Sequence, residues 1–221
     1  MIPLRDSQPS EHYPIITVSL IIINFVVFLM EVSMGVEGMQ ELAYYFGMVP
    51  AYQSVPGHTA GHITFITSTF LHGSWMHLIG NMWVLWLFGD NVEDRMGKLR
   101  FLAFYLIGGV AAGLTHYYIN PDSTTPVVGA SGAVAGVMGA YFLMFRHAKV
   151  LTFVPPFFIL NFPAWIYLGL WALSQFWCGT IGLIESNACG PIAFWAHIGG
   201  FLTGMVIYRF FLTRREHYPL Y

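Results

Sequence analysis

Charge is scarce in this chain. Its 221 residues include nine Lys and Arg and eleven Asp and Glu, 9% in all, against roughly 25% in an ordinary soluble domain. Hydrophobic residues make up 56%, among them 19 Phe, 12 Tyr, 7 Trp and 11 Met. A soluble domain of this size could not cover so large an apolar fraction with so few charges. The same composition excludes intrinsic disorder. Two cysteines exclude a disulfide scaffold, 23 scattered glycines exclude a collagen-like repeat, and a net charge of −2 gives no footprint for a nucleic-acid partner. What remains is an all-α, polytopic membrane protein whose surroundings are a lipid bilayer.

The charged residues punctuate the chain and the spans lie between them. A spanning helix needs about 20 residues, with about 17–25 tolerated. Six spans are predicted, at about 13–32, 73–91, 100–119, 127–146, 164–184 and 192–212, within a single membrane domain covering 1–221. The first apolar run is longer than the roughly 7–15 residues of a signal-peptide core and no small-residue cleavage site follows it, so it reads as a retained span. Residues 31–74 read as a partly embedded outer loop. The apolar, proline-rich stretch 150–163 reads as a linker at the cytoplasmic interface.

Six spans sort all basic residues to one side. Arg5, Arg95, Lys98, Arg100, Arg146, Lys149, Arg209, Arg214 and Arg215 share that side, while Glu31, Glu37, Glu41, Asp122 and Glu185 lie on the other. The positive-inside rule then places both termini in the cytoplasm. An added or missing span would break this sorting.

Polar groups inside apolar runs are costly and therefore functional candidates. Ser131 stands in Gly129, Ala130, Ser131, Gly132 near the start of span four. His197 stands near the start of span six, followed by Gly200 and Gly204. His77 and Asn81 are four apart at the start of span two, hence on one helical face. On the six-span topology all four side chains lie within roughly 10 Å of the outer boundary, at 1.5 Å rise per residue. A nucleophile needs a base within hydrogen-bond reach, which Ser131 and His197 can supply. An acyl-transfer site also needs donors aimed at the developing oxyanion; His77, Asn81 and the Ser131 N–H are candidates. Gly132/Gly136 and Gly200/Gly204 are spaced for close helix contact. Tight packing without chemistry would also account for these glycines, and serine is common in membrane helices.

Together these motifs resemble those of the rhomboid-family intramembrane serine proteases, in the same order on spans two, four and six. The likeness extends from about Pro14 to Arg214. It implies a Ser131–His197 dyad without an acidic third member, an oxyanion site of His77, Asn81 and the Ser131 N–H, and no metal or organic cofactor. It implies membrane-anchored protein substrates cut near their extracytoplasmic end, and a prokaryotic plasma membrane is the expected location. Two features depart from the family pattern. Ala135 stands where many members place an aromatic that stacks on the catalytic imidazole, leaving Tyr141 and the tryptophans as candidates to orient His197. The Trp-Arg pair of the first outer loop is absent. A catalytically silent relative that binds membrane clients is the alternative; such relatives typically lack the serine or the histidine, and both are present here.

The remaining polar residues have plainer readings. No HExxH motif is present, which argues against a metalloprotease. His72 reads as a structural hydrogen-bonder and His58 and His62 as loop residues. Asp90, Glu93, Asp94 and Arg95 read as a solvated cytoplasmic cap and Asn24 as an interhelical hydrogen bond. Cys178 and Cys189 are either a disulfide on an oxidising exterior or two small buried residues. Trp165, Trp171, Phe176 and Trp177 on span five are either a lateral gate or lipid contacts.

Overall fold

A computed structural model describes residues 1–55, 61–185 and 188–213. His58, Arg214 and Arg215 lie outside these residues. Helices dominate: α1 (Ile15–Ser33), α2 (Gly35–Phe46), the single turn α3 (Thr64–Thr67), α4 (Trp75–Met96), α5 (Lys98–Ile119), α6 (Ser131–Met144), α7 (Ala164–Gly182) and α8 (Phe194–Phe211). Each of the six apolar runs contains one long helix. By length and composition alone, α1 and α5 are apolar enough to cross a bilayer, while α6 is a shorter apolar helix of 14 residues.

Local chemistry sets the helix ends. The Ser74 hydroxyl accepts the His77 N–H at 3.2 Å and caps α4. Gly97, at φ +76°, ends α4 and lets α5 begin at once. Pro163 precedes α7, where its fixed φ suits a helix entry.

The core is built around α6, which is buried continuously from Gly132 to Tyr141 and packs against α4, α5, α7 and α8. Its closest partner surface is α8. A Cβ added at Gly200 would run into the Gly132 carbonyl, one at Gly204 into the Gly136 carbonyl, and one at Gly139 into the Phe201 carbonyl. The two backbones therefore touch along three successive turns, as small-residue helix pairs do.

The fold is mostly helical, as expected, but it also holds a small sheet that an all-α reading leaves out. Residues read as a proline-rich linker form a hairpin, β2 (Lys149–Val154) and β3 (Phe158–Pro163), and the N-terminal β1 (Ile2–Asp6) adds to it in the antiparallel order β1-β2-β3. Both hairpin runs are rich in β-branched and aromatic residues, which favour a pleated surface, and Pro155-Pro156 forms the turn between them. The described residues of 31–74 are largely helical, with α2, α3 and short 3-10 turns; α3 packs on α5 and Met48 bridges Val127.

Two charges placed at the surface by the sequence, Glu31 and Glu93, are instead buried. Glu31 is 2% exposed and accepts the His72 N–H at 3.1 and 3.3 Å. Glu93 is 4% exposed and accepts the Ile16 and Thr17 N–H groups at 2.9 and 2.8 Å. A carboxylate there satisfies the open donors of α1 and complements its dipole, so Glu93 is a helix cap in place of the expected solvated charge. Asp94 accepts the Glu11 N–H at 3.0 Å and pairs with the His12 ring at 2.6 Å. Among the described residues Asn24 makes no bond across helices through its donor; its amide nitrogen donates to the Leu20 carbonyl of α1 at 2.8 Å.

Candidate active site

Ser131 is the first residue of α6, not a residue four positions into a helix beginning at 127. The segment before it is held extended. Val127 exchanges backbone hydrogen bonds with Met48, and the Gly129 N–H donates to the Ser68 carbonyl at 2.9 Å. Gly129 itself has φ +125°, a conformation an L side chain rarely adopts. These constraints delay the helix to Ser131 and present its hydroxyl at the helix end. The first N–H groups of a helix lack partners within it and carry the positive end of its dipole.

His197 lies in the first turn of α8, opposite Ser131 across the α6–α8 contact. Its Nε2 is 2.7 Å from the Ser131 Oγ. Its Nδ1 is 2.7 Å from the Gln175 Oε1 on α7. Trp171, one turn before Gln175, stacks on the imidazole with ring centroids 5.9 Å apart and planes at 30°; Phe194 meets it edge-on at 6.5 Å. Both Ser131 and His197 are half-buried.

Of the candidates to orient His197, a tryptophan, Trp171, stacks on the ring, and Tyr141 lies elsewhere. Its hydroxyl donates to the Asp6 carboxylate at 2.5 Å, tying α6 to β1. Ala135 is fully buried and lies where a Cβ at Gly200 would meet it at 3.4 Å. The interface at that position holds two backbones in contact and no aromatic ring; α7 supplies the stacking ring instead.

The four polar candidates gather in two groups. Ser131 and His197 are hydrogen-bonded. His77 and Asn81 converge on Gly129, two residues earlier: a Cβ on that glycine would stand 2.6 Å from the His77 ring and 3.6 Å from the Asn81 Nδ2. Among the described residues no direct hydrogen bond joins either of them to Ser131. Asn81 is buried, and its Nδ2 is 3.1 Å from the His72 Nε2; an amide nitrogen has a second proton to offer. His72 is also buried, and its ring packs edge-on against His77 at 5.1 Å. It is the structural hydrogen-bonder the sequence suggested. His62 is exposed and stacks on Phe65.

Cys178 and Cys189 form a disulfide. It links the last turns of α7 to the segment entering α8, at the end of the bundle that carries Ser131 and His197. At the other end of α4, Glu11, His12 and Asp94 bring their ligand-type atoms within 4.8 Å of one another, where the N-terminal segment docks.

Gln175 is the site residue that sequence reasoning missed. The signal was present: Ser174 and Gln175 are adjacent polar residues within the apolar run 164–184, and intramembrane polar groups are functional candidates.

A family model for the Rhomboid domain matches residues 59–214, which include Ser131, His197, His77, Asn81 and Gln175. The chain is 27% identical over 202 residues to "Rhomboid protein 1, mitochondrial" of Saccharomyces cerevisiae, covering 86% of this chain and 54% of that protein. It is 28% identical over 192 residues to "Rhomboid-like protein 11, chloroplastic" of Arabidopsis thaliana, covering 85% and 62%. It is 29% identical over 185 residues to "Presenilin-associated rhomboid-like protein, mitochondrial" of Homo sapiens, covering 78% and 45%. The chain thus spans about half the length of the relatives it matches. The names of those proteins place them in organelles and lend nothing to the expectation of a prokaryotic plasma membrane. With a matching domain over most of its length, a helical bundle centred on α6 and family motifs at the starts of α4, α6 and α8, the chain belongs to the rhomboid family of integral membrane proteins.

Proposed function

We infer that this chain is an intramembrane serine endopeptidase that hydrolyses peptide bonds of membrane-anchored proteins. The observation that carries this reading is the 2.7 Å contact between Ser131 Oγ and His197 Nε2. Ser131 attacks the scissile carbonyl while His197 takes its proton. The oxyanion that forms is met by the Ser131 N–H, His77 and Asn81. His197 then gives the proton to the departing amine, leaving an acyl-enzyme. A water, deprotonated by the same imidazole, attacks the acyl carbon, and the proton returns to Ser131 as the acid product leaves. No step calls for a metal or organic cofactor.

In this reading 1–221 forms one domain in which α1, α4, α5, α6, α7 and α8 are six spans, with both termini cytoplasmic. Two features support that orientation. The basic residues sort to one side, and the Cys178–Cys189 disulfide stands at the dyad's end of the bundle, as an oxidising exterior permits. The substrate's scissile bond then enters from the extracytoplasmic half of the bilayer.

The test is cleavage of a single-span reporter protein by the purified chain in liposomes. Ser131→Ala and His197→Ala each abolish cleavage, and a fluorophosphonate labels wild-type protein at Ser131 only. Retained cutting by Ser131→Ala overturns the mechanism. A folded wild-type protein that neither cuts nor takes the label is a silent relative that binds membrane clients.

A further inference from the structure

We propose that Gln175 is a positioning residue that holds His197 in the tautomer protonated at Nδ1, leaving Nε2 as the base for Ser131. The proposal rests on the serine-protease reading for its kinetic consequences, but its structural content stands apart from that reading.

A chain of hydrogen bonds reaches His197 through α7, and the direction of each is forced by the one before. It starts at the Trp171 backbone carbonyl, which can only accept. The Ser174 hydroxyl donates to that carbonyl at 2.6 Å, so its single proton is committed and its oxygen can only accept. The Gln175 amide nitrogen donates to that oxygen at 3.1 Å. An amide turned the other way would set its carbonyl oxygen against an oxygen with no proton left to give. The Gln175 Oε1 is therefore the atom facing His197 Nδ1 at 2.7 Å. An amide oxygen accepts only, so Nδ1 carries the proton. A neutral imidazole has one N–H, so Nε2 is left with a lone pair facing Ser131 Oγ at 2.7 Å.

Three further contacts hold this chain in place. Trp171 stacks on the ring and limits its tilt. Phe194 closes the adjacent edge. The disulfide at Cys178, three residues beyond Gln175, ties this stretch of α7 to the segment entering α8. Soluble serine proteases place a carboxylate at this position. Here a neutral acceptor supplies orientation without the cost of burying a charge. The ring is thereby aligned for proton transfer, but the imidazolium of the transition state receives no counter-charge from α7.

The test uses the full chain in detergent and in liposomes, with two readouts. The first is nitrogen-15 NMR of protein labelled at histidine, with the His197 signals assigned by their loss in His197→Ala. Wild type shows protonated Nδ1 and unprotonated Nε2, and Gln175→Ala shows mixed tautomers. The second is turnover of the single-span reporter. Gln175→Ala lowers kcat about 10²-fold, the cost of a misplaced base, with KM within about twofold of wild type because Gln175 touches His197 and not the substrate. Gln175→Glu, which keeps an acceptor, restores most of kcat and moves the acid limb of the pH–rate profile to higher pH. His77 on α4 and His116 on α5, the other titratable groups acting on His197, are unchanged in that comparison. A wild-type His197 protonated at Nε2 overturns the proposal, as does wild-type kcat in a folded Gln175→Ala. If wild type cuts no reporter and takes no fluorophosphonate, the protease reading fails, and the NMR result still decides the tautomer. If Gln175→Ala does not fold, the pH limb of Gln175→Glu decides: an unshifted limb refutes the contact.

Discussion

Gly200→Ala tests whether backbone contact between α6 and α8 sets the dyad distance. The added Cβ would fall well inside contact with the Gly132 carbonyl, a backbone group that cannot swing away, whereas ordinary contact begins at 3.4 Å. Relief requires the two helices to part by about 1 Å or more. Gly132 follows Ser131 directly and Gly200 is three residues after His197, so the displacement falls on the dyad itself. Its 2.7 Å hydrogen bond would open past the roughly 3.2 Å limit for effective transfer. Over-packing of this kind costs about 1–3 kcal/mol of stability, and a 1 Å error in a catalytic distance costs about 10²-fold in rate. The control is Gly182→Ala at the end of α7, where an added Cβ meets nothing within 4 Å. The assay is reporter cleavage in liposomes together with thermal unfolding of each variant in detergent. Gly200→Ala is expected to lose about two orders of magnitude in kcat while remaining folded, and Gly182→Ala to match wild type. Full activity in Gly200→Ala with an unchanged melting temperature would refute the reasoning, since the helices would then have room that the geometry denies them.

Two predictions concern the parts that frame the site. Burial raises the Asp6 carboxyl from its ordinary 3.8 to about 6, against the pull of its Tyr141 hydrogen bond and with the Asp90 carboxylate adding to the rise. Between these values the folded chain holds a proton that the unfolded chain has released, so stability falls as pH rises through that window. Asp6→Asn should therefore gain most over wild type near pH 7 and least near pH 4; a gap in melting temperature that stays constant over that range counts against it. Cys178→Ser removes a cross-link between residues 11 apart, worth about 2–3 kcal/mol in the loop-entropy account. It should lower the melting temperature and, by freeing the end of α7 near Gln175, lower kcat as well. Equal melting of oxidised and reduced wild type would count against this.

How far the sequence can be read depends on which interactions are local. The Ser131–His197 contact is legible because each partner carries its own flanking glycines, and because a polar side chain in a charge-free run is costly to keep without a partner or a task. Glu31 and Glu93 mislead because a charge between apolar runs looks like a boundary. Each instead satisfies backbone N–H groups far along the chain, at His72 and at Ile16 and Thr17, and no spacing rule reports such a pairing. The hairpin β2–β3 is hidden for another reason. Two six-residue apolar runs around a Pro-Pro turn carry a strand signal, but in a chain this apolar they read as more membrane-facing linker. The start of α6 is displaced from its expected position because the 127–129 segment is held extended by Met48 and Ser68, again a distant pairing.

Scarcity of charge and the form of the site have one physical cause. A carboxylate left among apolar helices must recover the cost of its desolvation, and the buried Glu93 does so by accepting two backbone N–H groups at the start of α1. A carboxylate at position 175 would have one ring N–H to meet. An amide there has no charge to desolvate, keeps its nitrogen occupied on Ser174 and still aims one oxygen at His197. Backbone packing at Gly132 and Gly200 fixes how far the imidazole stands from Ser131, and the amide fixes which of its nitrogens is free. Distance and tautomer are thus set by different contacts, both uncharged, which is how a proton-transfer pair can be held ready in a bundle with so few ions to spare.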